Sequence, residues 1–528
     1  MAPEDGELLK VSQYAMPTRR LSRNRRGSRT SLHGRGDIRP VTYSTNPRSF
    51  RHASFYGSIG VARADITPPV GIYARNWGAA KHDVARAIHR PLTLTALTLA
   101  TAAGGQPQVL VEADLGGWSS PQNYRDFLSR LCKELSLEPA NLIFALSHTH
   151  SAPVLMDADN SLQGSGLHQT WMKALFESSV RTVRQALESC FLGRIDWHAG
   201  RCSLAANRDL RDPDPLRDRI VCGYNPSGEA DDTLLVGRIT DLDGRLRATL
   251  VNYACHPTTL GWENTAISPD YVGAMRDTIQ EATNAPALFL LGACGELAPR
   301  HQYIDDLDVA DSHGRELGFA ALSTLHGMEP PGARLAYAEV VESGAPLATW
   351  SYVPEETSRH LNAVMTSVTL PLKNWPSAEE IENQLKQCSD RAMEERLRRK
   401  LNIRLGLGDS SIFELPIHIW RIGDAVLIGS CCEAYSILQQ ELRRQFPDTK
   451  IVCMNLINGS IGYLPPAQLY DEEVYAVWQT PFERGSYERL FDAMVREVRD
   501  VLTEGQPHHQ LSPHIGSDFN RKPAAATL

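Results

Sequence analysis

The feature that most constrains this chain is an alternation. Short apolar runs of strand length alternate with longer amphipathic stretches, and chemically reactive residues follow the runs. Strand-like segments read at Gln108–Ala113, Leu142–Leu146, Ala248–Ala254, Ala287–Leu291, Ala425–Ile428 and Ile451–Leu456. Helix-like periodicity covers Tyr124–Leu135, Thr170–Leu187, Val272–Ala282, Ala434–Phe446 and Ser486–Leu502. Such alternation predicts an α/β protein: a large layered domain with mixed β-sheets flanked by helices, and a site at the carboxyl ends of strands.

Boundaries follow from composition. Residues 1–55 hold 11 Lys and Arg against 4 Asp and Glu, a net of +7, and few large apolar residues. They read as a basic disordered tail. The remainder, with 43 basic against 58 acidic residues, stands at −15, which argues against nucleic acid as the main partner. Residues 56–505 show no clear linker and read as one domain, with a charged helical insertion at about 377–405 and a softer joint near 328–352. Residues 506–528 read as a frayed tail. No apolar run reaches the roughly 18 residues of a membrane helix, so no integral membrane contact is expected. The ten cysteines form no Cys-x-x-Cys pair and mostly lie in apolar runs, which reads as reduced thiols in a cytoplasmic protein.

The residues past the strand-like runs are Asp114, the pair His148 and His150, His256, the stretch 292–296, Glu433 and Tyr463. In extended chain His148 and His150 face the same way, so both rings can converge on one ion or one substrate. Two loop histidines alone are more often merely solvated or hydrogen-bonded. His256 at a second strand end and Glu433 at a third turn the balance toward a metal, and histidine with carboxylate suits zinc. Glu433 has a plainer reading as an anion at a helix start. Asp114 is read either as a ligand to a second ion or as a group orienting a ligand histidine. No H-E-x-x-H, G-x-S-x-G or Walker-type loop is present, so zincin, serine-elbow and nucleotide chemistries lack support.

GVARADITPP (60–69), AIHRPLTLTAL (87–97), SHTHSAP (147–153), ANRD (206–209), NYACHP (252–257), GACGELAP (292–299), SCCEAY (430–435) and NGSIGYLPPAQLY (458–470) stand in order along the chain. Through them it resembles the neutral/alkaline non-lysosomal ceramidase family, specifically its N-terminal catalytic domain. The resemblance implies a zinc-dependent hydrolase of N-acyl bonds, with His148, His256, Glu433 and Tyr463 as ligands. It implies His150 and Tyr475 around the scissile carbonyl and Arg208 as a further polar contact. Two departures bear on substrate. Ala298 replaces a serine of the family's Gly-Asp-x-Ser-Pro, and Cys432 stands where a glycine commonly precedes the glutamate. The chain after 505 is also too short for the family's C-terminal immunoglobulin-like domain. The expectation is therefore a metal-dependent amidohydrolase acting on a small N-acyl substrate, ceramide-like or smaller. Ester or lactam hydrolysis, reverse N-acylation at the same zinc site, and a non-catalytic metal-containing binding protein stand as alternatives.

Overall fold

In the computed structural model, residues 51–503 are described, except 157, 158 and 473. The basic stretch before residue 51 and the C-terminal stretch from 504 onward lie outside the described residues. The central layer is an eight-stranded mixed sheet. Its strands are β1 (Ala53–Asp65), β2 (Thr93–Ala100), β3 (Gln108–Ala113), β4 (Leu142–Leu146), β5 (Phe191–Arg201), β6 (Thr233–Asp241), β7 (Leu246–Tyr253) and β8 (Ala287–Leu291). They are ordered β8-β7-β6-β5-β1-β2-β3-β4. The two outermost pairs, β7 with β8 and β3 with β4, are parallel; the pairs between them are antiparallel. The parallel ends carry the continuous apolar runs, as expected where both faces of a strand are covered. LIFAL of β4 and ALFLL of β8 are buried throughout. β1 starts ahead of the compositional boundary at 55: Phe55 is fully buried between layers, so these residues belong to the sheet.

A projecting hairpin, β9 (Ala333–Glu342) with β10 (Pro346–Pro354), occupies the joint read near 328–352. A second sheet follows, made of β11 (Leu361–Pro371), β12 (Ile412–Ile422), β13 (Ala425–Ser430) and β14 (Lys450–Met454), with β13 and β14 parallel. The two sheets pack face to face. Phe55, Ile143, Trp197 and Leu290 of the first share one core with Trp420, Leu427 and Val452 of the second.

Helices cover the outer faces. α1 (Pro121–Leu135) and α2 (Ser165–Glu188) lie on one half of the large sheet, α3 (Tyr271–Thr283) and α4 (Leu307–His326) on the other. The charged segment forms two helices, α5 (Ala378–Gln387) and α6 (Arg391–Leu407), and the second sheet is backed by α7 (Ile437–Gln445) and α8 (Ser486–Thr503). Caps mark these helices as the sequence directs. Ser120 caps α1 with Pro121 in its first turn, and Ser377 with Glu380 closes a capping box on α5. The mixed α/β architecture with flanking helices is thus the one read from the alternation. Among the described residues, no helix is long and apolar enough to cross a membrane. None of the ten cysteines is bridged.

Candidate functional site

His148 stands two residues past β4, in a left-handed conformation (φ 68°). A non-glycine residue held there is strained by about 1–3 kcal/mol, and its surroundings must over-determine it. They do. The His148 backbone N–H donates to the Leu115 carbonyl at 2.9 Å, and its ring Nδ1–H donates to the Gly116 carbonyl. Gly116 has no room for a side chain: a Cβ would fall 2.7 Å from the Thr149 carbonyl oxygen. His256 is fixed the same way past β7. Its backbone N–H (2.9 Å) and ring Nδ1–H (3.0 Å) both donate to the Leu297 carbonyl.

A carbonyl oxygen only accepts, so in each ring the proton sits on Nδ1 and Nε2 presents a lone pair. Both lone pairs face one carboxylate oxygen. Glu433 Oε2 lies 2.9 Å from His256 Nε2 and 3.4 Å from His148 Nε2. All three side chains are buried, and their ligand atoms lie within 4.8 Å of one another. Burial pushes His256 down to about 4, with the Arg208 charge pushing the same way, so this ring is neutral near pH 7.

Glu433 sits in a two-residue strand, Glu433–Ala434, whose parallel partner is Tyr463–Leu464, with Glu433 directly opposite Tyr463. The helix-start reading of Glu433 is therefore corrected: α7 begins only at Ile437. The anion at that helix start is Glu296, which accepts from the Ser436 backbone N–H at 2.9 Å and from the Ser436 hydroxyl. Burial raises Glu296 to about 7. Ala298 is a buried methyl in the strand Leu297–Pro299 and offers no nucleophile.

Tyr463 brings its hydroxyl to 3.5 Å from His256 Nε2. Arg208, buried and free of any carboxylate ion pair among the described residues, donates from Nη2 to the Tyr463 oxygen at 2.9 Å and to the Gly295 carbonyl at 2.7 Å. Arg208 pulls the Tyr463 phenol down, but burial outweighs it and holds the group well above its usual pKa. Tyr475, the first residue of a short helix, packs its ring edge-on to Tyr463 with centroids 5.4 Å apart. His150 lies 4.8 Å from the His148 ring, and Trp77 lies 4.9 Å away against its other side. His150 Nε2 is buried without a hydrogen-bond partner, and burial, reinforced by the neighbouring histidines and Arg399, pushes the ring well below its usual pKa.

All seven residues expected at the site are thus neighbours. His148, His150, Glu433, Tyr463 and Tyr475 line one cavity of about 770 Å³, with His256 and Arg208 packed behind. Asp114 does not join them. It accepts from Arg276 Nη1 at 2.7 Å and from the Thr93 backbone N–H and hydroxyl at 2.9 and 3.0 Å. Arg276 also holds Glu112, so this buried triad ties α3 to β3, and among the described residues Asp114 makes no hydrogen bond to a ligand histidine. Trp77 and the α6 residues in the cavity wall carried no chemical signal in the sequence. A tryptophan in a loop and a charged amphipathic helix look like any others.

The description neutral/alkaline non-lysosomal ceramidase, N-terminal, matches residues 57–288. This stretch holds His148, His150, Arg208 and His256. Among solved structures, a ceramidase complexed with C2 is 18% identical with a TM-score of 0.59, over 84% of this chain and 76% of that chain. Neutral ceramidase from Pseudomonas aeruginosa is 18% identical with a TM-score of 0.57, over 84% of this chain and 75% of that chain. Residues 57–288 thus match the N-terminal part of the neutral/alkaline non-lysosomal ceramidase family, and over most of its length the chain shares the fold of these solved ceramidases.

Proposed function

We propose that the protein is a zinc-dependent amidohydrolase that cleaves the C–N bond of an N-acyl substrate, ceramide-like or smaller. One observation carries this reading. Three acceptors, His148 Nε2, His256 Nε2 and Glu433 Oε2, converge, and with both ring protons on Nδ1 none of the three carries a hydrogen for the others. Lone pairs so arranged in a buried site repel unless a cation is shared among them. Nitrogen and carboxylate donors in this number suit zinc, and Tyr463, whose hydroxyl lies 3.5 Å from His256 Nε2, completes the set of residues that would hold it. When bound there, zinc supplies a Lewis acid that makes water nucleophilic near neutral pH.

The chain's own groups supply the rest. Tyr475 donates its O–H to the carbonyl oxygen as negative charge builds on it. His150, whose Nε2 has no hydrogen-bond partner among the described residues, takes the proton released by the attacking water and returns it to the departing amine. Trp77 against the His150 ring holds that ring in place for both transfers. Residues 56–505 act as one catalytic domain in this reading. The unbridged thiols are in keeping with a reducing, cytoplasmic setting.

Zinc content of protein purified without a histidine tag tests the proposal. About one ion per chain is expected, falling toward zero in His148→Ala and Glu433→Gln, with hydrolysis of a panel of N-acyl amides tracking the metal. Wild-type protein that holds no zinc after reconstitution, or a content unchanged in His148→Ala, would refute it.

A further inference from the structure

The charged insertion forms one wall of the cavity. Leu385 of α5 and Glu395, Arg398, Arg399 and Asn402 of α6 all line it. This wall is fixed in place. Gly406 lies so close to α1 that a Cβ would fall 2.4 Å from the Pro121 ring, and Gly78 would meet Ala392 at 3.1 Å. Arg391 donates to the Ala80 carbonyl at 2.7 Å and pairs with Asp83.

Three arginines line the cavity, and two of them are committed. Arg75 donates to the Arg391 carbonyl at 2.8 Å and faces Asp83 and Glu394 at 3.8 and 4.0 Å. Arg398 is held by Glu394 at 3.0 Å, with Asp159 at 3.9 Å. Arg399 differs. Its Nε donates to Glu395 at 2.9 Å and its Nη2 to the Asn76 carbonyl, leaving Nη1 with neither a hydrogen bond nor a second carboxylate within 4.0 Å among the described residues. Its charge bears on His150, Tyr463 and Tyr475, so the guanidinium sits beside the candidate catalytic groups. The Glu395 side chain is only 12% exposed while that of Arg399 is 39% exposed, so of these two cavity-lining groups the guanidinium is the more open.

We infer that Arg399 selects an N-acyl substrate bearing a carboxylate beside its amide, as in an N-acylated amino acid. The inference rests on the amidohydrolase reading above. A guanidinium braced through Nε presents a planar edge that matches a carboxylate. A neutral lipid amide in the same place offers the free Nη1 only an uncharged oxygen, a weaker partner than a carboxylate. Polar Ser119 and Asn402 share this wall with apolar Val154, Met156, Leu162 and Leu405, which suits an acyl chain joined to a charged head.

The test uses zinc-loaded full-length protein and three substrates sharing one short acyl chain: an N-acylglycine, the matching N-acylglycinamide and a short-chain ceramide. Wild type is expected to favour the acid over the glycinamide and the ceramide by roughly 10- to 100-fold in kcat/KM, chiefly through KM. In Arg399→Gln that ratio collapses toward one, and Arg399→Lys recovers part of it. Equal kcat/KM for acid and glycinamide in wild type, or equal losses on both in Arg399→Gln, would overturn the inference. Calorimetric binding of the same acid and glycinamide separates the two readings. If no substrate is hydrolysed, the amidohydrolase reading fails. The anion preference then stands only if Arg399→Gln weakens binding of the acid by at least ~10-fold more than that of the glycinamide, and falls otherwise.

Discussion

Tyr475→Phe tests a hydroxyl that lines the cavity beside the candidate ligands. The substitution removes a single oxygen. The ring keeps its edge contacts with Tyr463 and with Trp478, whose centroids lie 5.4 and 4.8 Å away. The lone pair already in use accepts from Gln479 Nε2 at 3.1 Å, so the O–H proton is free for the substrate. Losing the Gln479 bond costs stability about 1 kcal/mol. Losing a donor to the developing oxyanion costs about 3–4 kcal/mol in the transition state, or roughly 10²–10³ in kcat. KM should change little, because the bond strengthens only as charge appears. Zinc-loaded wild type and variant are compared on the best N-acyl substrate, with zinc content and melting temperature measured on the same samples. A fall in kcat of less than about threefold at full zinc loading would refute the role, as would a fall that merely follows lost zinc.

Three further outcomes follow from other parts of the molecule. Free zinc at 100 times its dissociation constant should stabilise the wild type by about 2.7 kcal/mol, seen as a rise in melting temperature that a chelator reverses and Glu433→Gln abolishes; an equal rise in the variant contradicts the candidate ligand set. His418 is buried, accepts from Asn458 at 2.9 Å, and is lowered by burial to about 4. Its ring binds a proton more readily unfolded than folded, so the penalty is absent above pH 6.5 and grows as pH falls toward 4, on the order of 3 kcal/mol in all. His418→Gln should flatten the loss of stability over that window, and parallel curves for the two proteins would contradict this. Arg276→Met leaves Glu112 and Asp114 buried without their cation and should cost about 3–5 kcal/mol in denaturant unfolding; a loss under 1 kcal/mol would show the triad to be dispensable.

Much of the site was legible because the groups that carry chemistry sit where apolar runs stop. His148, His256 and Glu433 each lie two or three residues past a strand that is unmistakable in the text, and β3, β4 and β8 have the bounds read from their apolar runs. The misreadings share one cause, a partner distant in sequence. Asp114 occupies the same kind of position, but its partner Arg276 is a polar residue on the buried side of α3, which periodicity treats as noise. Glu433 looked like a helix start because Ala434–Phe446 is periodic; its pairing with Tyr463 ends the strand first. The insertion was visible as two helices, yet nothing local says that Gly406 packs on Pro121 and so brings Arg399 over the histidines.

The bridge between Glu433 and Tyr463 has a mechanical consequence. His148 and His256 are carried by the large sheet, whereas Glu433 and Tyr463 are carried by loops of the small one. An ion held by all four would act as a rivet through the seam where the sheets meet. The segment 57–288 alone supplies only the two histidines, half of the rivet hole. Tight metal binding and the docking of the two sheets would then be a single event, each withheld until the other occurs.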